Sequence, residues 1–232
     1  MLYVRWYEKN NRKYSADIDL SLIYGLIGGV VGAKILYLLV NIKEFVSEFH
    51  FLFSDIGIFL TKYLSGGFVY FGGMIGFFVS IYLYAKIVDI PFDAMISPAV
   101  PALAIFHAFG RVGCFCAGCC YGKPTESIWG IINHSSEIAP NEVALIPVQL
   151  LESAAEIILF ILLTALQKKQ MSGEKILNIY FLLYGLTRFF LEFMRGDIER
   201  GFIGVFSISQ IIAALCVLGS FVSFFQKYIN AK

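Results

Sequence analysis

The stretch DLSLIYGLIGGVVGAKILYLLVN, residues 19–41, decides the class of fold. It carries charge only at Asp19, its first residue, and at Lys34. A transmembrane helix needs about 20 mostly apolar residues, and this stretch supplies them. Five further stretches of the same kind follow, at residues 66–88, 93–113, 145–167, 175–195 and 203–226. The sequence therefore predicts an all-α, polytopic membrane helical bundle of about six transmembrane helices.

The composition of the whole chain agrees with this class. Hydrophobic residues make up 58% of the 232 residues, charged residues 15%, and the mean hydropathy is +0.74. Soluble domains have about a quarter charged residues and less than half apolar ones. The formal net charge is +1 and no long basic run occurs, so no nucleic acid is expected as a partner. We expect a single integral-membrane domain over residues 1–232.

The segment between the first two spans is different in character. Residues 42–64 are interrupted by charged side chains, while an apolar face recurs between them. This pattern predicts an amphipathic segment at the membrane interface. Glycine pairs flank it on both sides, and their GxxxG spacing predicts close helix packing at Gly28 and Gly32 and at Gly72 and Gly76.

The distribution of Lys and Arg predicts the orientation. If both termini are cytoplasmic, ten of these cations lie on the inner side and six on the outer side. Cytoplasmic loops carry the excess of positive charge, so both termini are expected inside. Residues 110–145 and 196–202 then face the outer side together.

Ionisable residues also occur inside the spans, where burying each one costs about 2.5–3.5 kcal/mol. In YGLTRFFLEFMR, residues 184–195, polar residues recur at helical spacing and line one face: Tyr184, Arg188, Glu192 and Arg195. Two arginines against one glutamate leave a positive surplus, and the guanidinium fork suits phosphate. The stripe favours an anionic ligand. The alternative is a purely structural pair between Arg188 and Glu192.

A second polar group lies at the end of the third span and the start of the fourth. His107 and Arg111 are four residues apart, and a histidine beside an arginine is expected to be neutral and able to accept a proton. The fourth span contributes Gln149, Glu152 and Glu156. Glu152 can pair with Arg111 or with Arg188, and the spacing does not choose between them.

Four cysteines form the pattern C-x-C-x2-C-C after Arg111: Cys114, Cys116, Cys119 and Cys120. Several interpretations stay open. Soft thiolates can bind zinc or copper, although this is not a standard spacing for structural zinc. A disulfide or redox pair, a reactive thiol beside the arginine, and tight packing of a glycine-rich loop are the others.

Four motifs in order resemble the phosphatidylglycerol–prolipoprotein diacylglyceryl transferase family, over about residues 20–220. They correspond to a glycine-paired segment, an arginine-glycine signature, a proline-x-glutamine segment and a C-terminal motif. In this chain they are GGFVYFGGMIG (66–76), GRVGCFCAGCCYG (110–122), IPVQLLE (146–152), and YGLTRFFLEFMR (184–195) with SISQ (207–210).

The resemblance implies an enzyme of bacterial lipoprotein biosynthesis. Such an enzyme moves diacylglycerol from phosphatidylglycerol to the thiol of a lipoprotein's lipobox cysteine and releases glycerol phosphate. The expected partners are phosphatidylglycerol or a similar phospholipid, the prolipoprotein signal peptide and the bilayer. The expected location is the bacterial cytoplasmic membrane, with the active site toward its outer face. Neither a cofactor nor a metal is expected.

The resemblance, together with the polar residues of the spans, assigns roles to residues; the roles of His107 and of the cysteines come from their own position and chemistry. The expected catalytic residues are His107, Arg111, Arg188 and Glu192. The expected substrate-binding residues are Tyr184, Gln149, Glu152, Arg195, Gly110 and Gly122. The two central arginines would hold the phosphate, and the histidine would take the thiol proton. Cys114, Cys116, Cys119 and Cys120 are candidates for thiol chemistry.

This chain departs from the family pattern at several positions. Phe71 stands where the family has a histidine, Cys114 where it has an asparagine, and Ile146 where it has a histidine before Pro147. Residues 1–18 are expected to form a cytoplasmic segment, the remnant of the family's first helix. Two alternative functions stay open: a phospholipid-dependent transferase with another acceptor, and a non-catalytic membrane protein that binds lipid or performs thiol redox chemistry.

Overall fold

Six helices in the described part of the chain are long and apolar enough to cross a membrane. The structure is a computed structural model, and it describes residues 15–49, 54–57, 69–197 and 201–230, with isolated positions at 3, 7, 61 and 63. The prediction of a polytopic helical bundle with about six transmembrane helices is confirmed.

The long helices are α1 (Ser15–Val40), α3 (Tyr70–Ile87), α4 (Phe92–Cys116), α5 (Val148–Lys168), α6 (Gly173–Leu191) and α7 (Ile208–Asn230). A short helix, α2 (Ile42–Ser47), follows α1, and a 3-10 turn (Glu192–Met194) extends α6. Two antiparallel two-stranded sheets complete the described elements. They are β1 (Ile131–Ile132) with β2 (Ala144–Leu145), and β3 (Phe202–Ile203) with β4 (Phe206–Ser207).

The predicted start of the last span was wrong by five residues. Residues 202–207 form the β3–β4 hairpin, and α7 begins only at Ile208. The start is fixed by a reciprocal cap, in which the Ser207 N–H donates to Gln210 Oε1 at 3.0 Å and the Gln210 N–H donates to Ser207 Oγ at 3.1 Å. Hydropathy does not register such a cap, because it depends on two polar side chains at the helix start.

Part of the predicted interfacial segment lies outside the described residues. The helix α2 occupies its first six residues, and the Tyr63 hydroxyl donates to Glu48 at 2.8 Å. Residues 50–53, 58–60, 62 and 64 are not described, nor are residues 65–68 of the glycine-paired segment. The interfacial location of this segment stays a prediction.

The chain forms two compact units, residues 1–98 and 99–232, and the boundary falls within α4. The first unit contains α1 and α3, which pack through their glycine pairs. A Cβ atom added to Gly32 would lie 2.4 Å from the carbonyl oxygen of Gly72, and one added to Gly76 would lie 2.1 Å from that of Gly28. The predicted close packing at both pairs is confirmed, since no side chain fits between the two backbones.

The second unit contains the rest of α4 with α5, α6 and α7, and it holds the polar residues that the sequence singled out. Helix α6 packs against both α5 and α7. A Cβ atom on Gly185 of α6 would lie 2.8 Å from the carbonyl oxygen of Ala213 on α7. This close approach allows α6 to present its polar stripe toward α5.

The α1–α3 contact gives a stability prediction. We expect Gly76→Ala to lower the free energy of unfolding by about 1–3 kcal/mol, because the new methyl group overpacks the helix interface. Gly73→Ala is the matched control on the same helix, since its Cβ would lie 3.4 Å from the Gly29 carbonyl oxygen, an ordinary contact. Unfolding by SDS in mixed micelles, followed by circular dichroism, measures both. Equal stability of the two variants would contradict the close contact.

Candidate active site

A buried ion pair joins the signature arginine to α5. Arg111 lies on α4 and Glu152 on α5, and their side chains are only 10% and 6% exposed. The distance from Arg111 Nε to Glu152 Oε2 is 2.8 Å. A carboxylate buried this deeply needs a cationic partner, because burying an isolated charge is far more costly than burying a pair.

The same carboxylate also binds the arginine of α6. Arg188 Nη1 contacts the other oxygen of Glu152, while Arg188 Nη2 lies 2.8 Å from Glu192 Oε2 and donates to Ser209 Oγ at 3.3 Å. Glu152 therefore pairs with both arginines, which the spacing alone had left undecided. The structure also contains the Arg188–Glu192 pair that the i, i+4 spacing predicted.

A third arginine completes the cluster. Arg195 donates through Nε to Asp197 Oδ1 at 2.9 Å and also contacts Asp197 through Nη2. Its Nη1 lies 3.8 Å from Glu192 Oε2. The arginine cluster, defined as Arg111, Arg188 and Arg195 with Glu152, Glu192 and Asp197, thus contains three cations and three carboxylates. The positive surplus expected from α6 alone was wrong, because α5 and the residues after Arg195 contribute two further acids.

The three arginines differ in how many of their donors are used. Each guanidinium has five N–H donors. Both terminal nitrogens of Arg188 and of Arg195 contact carboxylates within the cluster. Arg111 contacts a carboxylate only through Nε, by the ion pair with Glu152, and among the described residues its two Nη groups have no hydrogen-bond partner. Those two groups form the fork that binds two oxygens of one carboxylate or phosphate.

His107 lies one helical turn before Arg111. Its Nδ1 atom is 2.8 Å from Glu156 Oε1, and both side chains are buried. Its ring lies edge-on to Tyr184, with 5.6 Å between centroids, and Tyr184 stacks on Tyr180 at 5.5 Å. A carboxylate on one ring nitrogen fixes the orientation of the imidazole and its tautomer. The predicted residues His107 and Tyr184 are therefore in contact.

The end of α4 determines where the cysteines lie. The Gly118 N–H donates to the Phe115 carbonyl at 3.1 Å, and the Cys119 N–H donates to the Cys114 carbonyl at 3.1 Å. Gly118 has a φ of +70°. These are the two hydrogen bonds and the left-handed residue of a Schellman motif. The helix thus runs three residues beyond the predicted end at residue 113, and it carries Cys114 and Cys116.

The Schellman motif brings three thiols together. The sulfur atoms of Cys114, Cys119 and Cys120 all lie within 4.8 Å of one another, and we call these three residues the thiol cluster. Cys116 is exposed, and all five cysteines are free thiols. The structure therefore contains none of the disulfides that the sequence had left open.

Polar contacts join the thiol cluster to its surroundings. Gln149 Nε2 donates to the Cys119 carbonyl at 2.7 Å. A hydrogen bond from Cys114 and the charges of Arg195 and Arg111 lower the pKa of Cys120 to about 5, although burial opposes this shift. Burial, followed by the charge of Cys120, raises the pKa of Cys119. Cys120 is thus expected to lose its proton more readily than Cys119.

The two glycines expected to bind substrate lie in different surroundings. Gly110 is exposed, with open space where a Cβ would be. Gly122 is buried in the backbone between α4 and α5, and a Cβ there would lie 2.2 Å from the Ile146 carbonyl oxygen. The N–H of its neighbour Lys123 donates to the Met194 carbonyl at 2.8 Å, and the Lys123 carbonyl accepts from the Ile146 N–H at 3.0 Å. Gly122 therefore allows three backbone segments to meet beside Arg195.

The sequence had assigned no role to three residues of this region: Glu156, Asp197 and Ser209. Glu156 carries a signal, since it follows Glu152 at i, i+4 and must share its helix face. Asp197 lies two residues after Arg195, a spacing that does not place two residues on one face of a helix. Ser209 lies in the SISQ segment, which was matched to the family motif without a role for this serine. Phe71, at the position of the family's histidine, is buried in the first unit.

Comparison with known proteins decides the family. The family described as prolipoprotein diacylglyceryl transferase matches residues 1–226. The chain belongs to this family. The resemblance predicted from the four motifs is thereby confirmed.

Several relatives of this family member are named as phosphatidylglycerol–prolipoprotein diacylglyceryl transferases. A phosphatidylglycerol–prolipoprotein diacylglyceryl transferase of Clostridium tetani is 38% identical over 209 residues, covering 89% of this chain and 80% of the relative. Phosphatidylglycerol–prolipoprotein diacylglyceryl transferase 2 of Clostridium perfringens is 34% identical over 209 residues, which cover 90% of this chain and 78% of the relative. One from Finegoldia magna is 28% identical over 199 residues, covering 85% and 73%.

The shared carboxylate of this family member gives a second stability prediction. We expect Glu152→Gln to lower the free energy of unfolding by about 3–5 kcal/mol, because it leaves Arg111 and Arg188 without their common counter-charge. Glu126→Gln, in the exposed segment before β1, is the matched control. Unfolding by SDS in mixed micelles measures both variants. A loss no larger than that of the control would mean that the buried pairs are not formed.

Proposed function

We propose that this protein transfers a diacylglyceryl group from phosphatidylglycerol to the lipobox cysteine thiol of prolipoproteins and releases glycerol phosphate. Membership in the family and the names of the relatives support this activity. The protein is thus a membrane transferase of lipoprotein biosynthesis. Its substrates are a phospholipid and a prolipoprotein, and the segment of the prolipoprotein that it binds is the signal peptide.

The unused donors of Arg111 are the observation that carries the proposal. Glu152 holds this guanidinium by Nε, and both Nη groups are left for a ligand. A phosphodiester offers two anionic oxygens that match this fork. Arg188 uses its terminal nitrogens to hold Glu152 and Glu192, so its role is to fix the position of Glu152 and to add positive charge. Arg111 binds the phosphate directly.

The reaction is a displacement at the glyceryl carbon that bears the phosphate. The thiol sulfur forms the new C–S bond, and the C–O bond to the phosphate breaks. The electron pair stays on the phosphate oxygen, which leaves as glycerol phosphate with additional negative charge. Donors already positioned at the phosphate stabilise that charge without reorganisation. Arg111 is in such a position, because its orientation is fixed before substrate enters.

The thiol proton needs an acceptor, and His107 is our candidate. Glu156 accepts the hydrogen bond from Nδ1, which leaves Nε2 as the basic nitrogen of the ring. Glu156 is a positioning residue in this scheme. Tyr184 holds the other side of the imidazole by ring contact. Gln149 supports the backbone at Cys119 by a hydrogen bond from its Nε2.

We further propose that the protein lies in the bacterial cytoplasmic membrane with its site toward the outer face. Six helices with both termini on the inner side agree with the excess of Lys and Arg there. The end of α4, with Arg111 and the thiol cluster, then lies near the outer interface. Phospholipid can enter from the outer leaflet, and the acceptor thiol arrives on the same side.

The role of Arg111 is tested by replacing its fork but keeping its charge. We expect Arg111→Lys to lower the rate of diacylglyceryl transfer by about 10²–10³-fold, because a lysine cannot bind two phosphate oxygens in parallel. Purified protein in phosphatidylglycerol vesicles is given a lipobox peptide, and mass spectrometry detects the modified peptide and glycerol phosphate. Lys123→Gln, with its side chain exposed, is the control.

Two outcomes of that assay are informative. A peptide with serine in place of the lipobox cysteine should give no product with any variant. Transfer by Arg111→Lys at the rate of the unmodified protein would contradict phosphate binding by the fork. Absence of product with the unmodified, folded protein would contradict the activity itself.

The orientation is tested by labelling with a membrane-impermeant maleimide. We expect Cys116, as the single cysteine of a variant with the other four replaced by serine, to be labelled in intact spheroplasts. Its thiol is exposed at the end of α4. Gln170→Cys in a cysteine-free background lies beyond α5 and should be labelled only after permeabilisation. The opposite pattern would reverse the proposed topology.

A further inference from the structure

We propose that the thiol cluster, Cys114, Cys119 and Cys120, binds one Zn²⁺ ion, and that the open fourth position of this ion takes the acceptor thiol. The inference rests on the proposed function and revises one step of it, the removal of the thiol proton. It begins from the local structure at the end of α4, which places three sulfur atoms together where an acceptor thiol must arrive.

The Schellman motif explains why the spacing C-x-C-x2-C-C suits a metal here. In this motif the residue after the left-handed glycine lies against the third-last residue of the helix, and the contact is usually apolar. Here those two residues are Cys119 and Cys114, joined by a main-chain hydrogen bond of 3.1 Å. Cys120 follows with a φ of +58°, in the left-handed conformation. Adjacent in the sequence, Cys119 and Cys120 both come close to Cys114.

The geometry of the three sulfur atoms is near that of a bound ion. Zinc binds thiolates at about 2.3 Å in a tetrahedron, which separates neighbouring sulfurs by about 3.8 Å. The three sulfurs of the thiol cluster lie within 4.8 Å of one another, so small side-chain rotations close the site. Cys116 lies two residues after Cys114 on the helix, about 200° around its axis, and is exposed. It is therefore no fourth ligand.

Three protein ligands are typical of a catalytic zinc site, whereas structural zinc sites have four. The fourth position is then open to water or to substrate. All three residues of the thiol cluster are half-buried, so the ion would be held by the protein and still be reached from the helix end. An acceptor that is itself a thiol is a good fourth ligand, because zinc prefers sulfur and nitrogen donors.

The surrounding charges favour a thiolate-bound ion. Zn²⁺ with three thiolates carries one net negative charge. Arg111 and Arg195 lie close enough for their charges to act on Cys120, and both are held in place by carboxylates. The backbone of Arg195 also bridges to Gly122, two residues after Cys120. These two cations thus oppose the negative charge of the site, and Asp197 offsets part of their effect.

Zinc would change how the acceptor thiol loses its proton. A thiol that coordinates a metal ion is deprotonated outright, and the proton leaves to water at the half-exposed helix end. Cys114, Cys119 and Cys120 would hold the ion, which would supply the acceptor as a thiolate; the thiolate sulfur would form the C–S bond as the C–O bond to phosphate breaks. No electron is transferred to an outside oxidant. The phosphate is held by Arg111, one helical turn from Cys114, so nucleophile and leaving group are neighbours.

The first experiment measures metal directly. The full-length protein is purified in detergent with a phosphine reductant, loaded with ZnCl₂, freed of excess ion and analysed by mass spectrometry for zinc. We expect one Zn²⁺ per chain, lost in Cys119→Ser and in Cys120→Ser and kept in Cys116→Ser and Cys216→Ser. Circular dichroism shows whether each variant is folded. Chelation of the unmodified protein compares the zinc-bound and zinc-free forms without any substitution.

The second experiment asks whether the fourth position takes the acceptor. Cobalt(II) replaces zinc, and its visible absorption reports the ligands. We expect thiolate-to-metal charge-transfer absorption, and a change in the visible bands when the cysteine lipobox peptide is added but not its serine analogue. Chelation should lower transfer at pH 7 by at least about tenfold, since a free thiol is only a few per cent ionised there. Added zinc should restore it.

The outcomes separate this inference from the proposed function. Transfer that is unaffected by chelation and abolished in His107→Gln would overturn the zinc site and leave the transferase with its histidine base. Zinc retained in Cys119→Ser and Cys120→Ser, or a disulfide within the thiol cluster that prevents binding, would also overturn it. A cobalt spectrum that responds to the cysteine peptide, without any transfer from phosphatidylglycerol, would support the metal site and contradict the transferase.

Discussion

The second unit depends on one carboxylate shared by two arginines. Glu152 of α5 contacts Arg111 of α4 through one oxygen and Arg188 of α6 through the other. Three helices must therefore keep a fixed rotation and depth, since moving any of them leaves a buried charge without its partner. Such a loss costs several kcal/mol. These ion pairs are made between side chains of the protein itself, as a preorganised site requires. The arginines do not have to be gathered by the substrate.

The end of α4 is the second constraint, and it connects the charged cluster to the thiols. Because the helix runs to Cys116, Arg111 and Cys114 lie one turn apart on a rigid element. Gly118 then takes a left-handed conformation that other residues adopt at a cost, and a Cβ there would also lie 2.3 Å from Ser136 Oγ. The thiol cluster follows from this turn. Arg111 and the thiol cluster are thus positioned by the same helix and its C-terminal cap.

The sequence predicts the six helices because lipid requires about 20 apolar residues for each span, a condition that hydropathy measures directly. It predicts the helix ends less well, since α4 and α7 are bounded by hydrogen bonds of Gly118, Ser207 and Gln210. Within one helix, spacing predicts the Arg188–Glu192 pair. Contacts between helices are different: whether Glu152 meets one arginine or two depends on the rotation of α5, which no spacing encodes. The neutral balance of the arginine cluster was missed for this reason.

The neutral balance also decides which arginine can hold a substrate. A guanidinium stays charged and keeps five donors at any pH at which the protein is folded. At Arg188 and Arg195 the terminal nitrogens already contact carboxylates, so a phosphate would have to displace an acid there. Arg111 needs no displacement, because Glu152 takes only Nε and leaves the fork for the ligand. A cluster with equal numbers of cations and carboxylates can therefore still bind an anion. The condition is that one guanidinium is held through Nε, so that its two Nη groups are left for the anion.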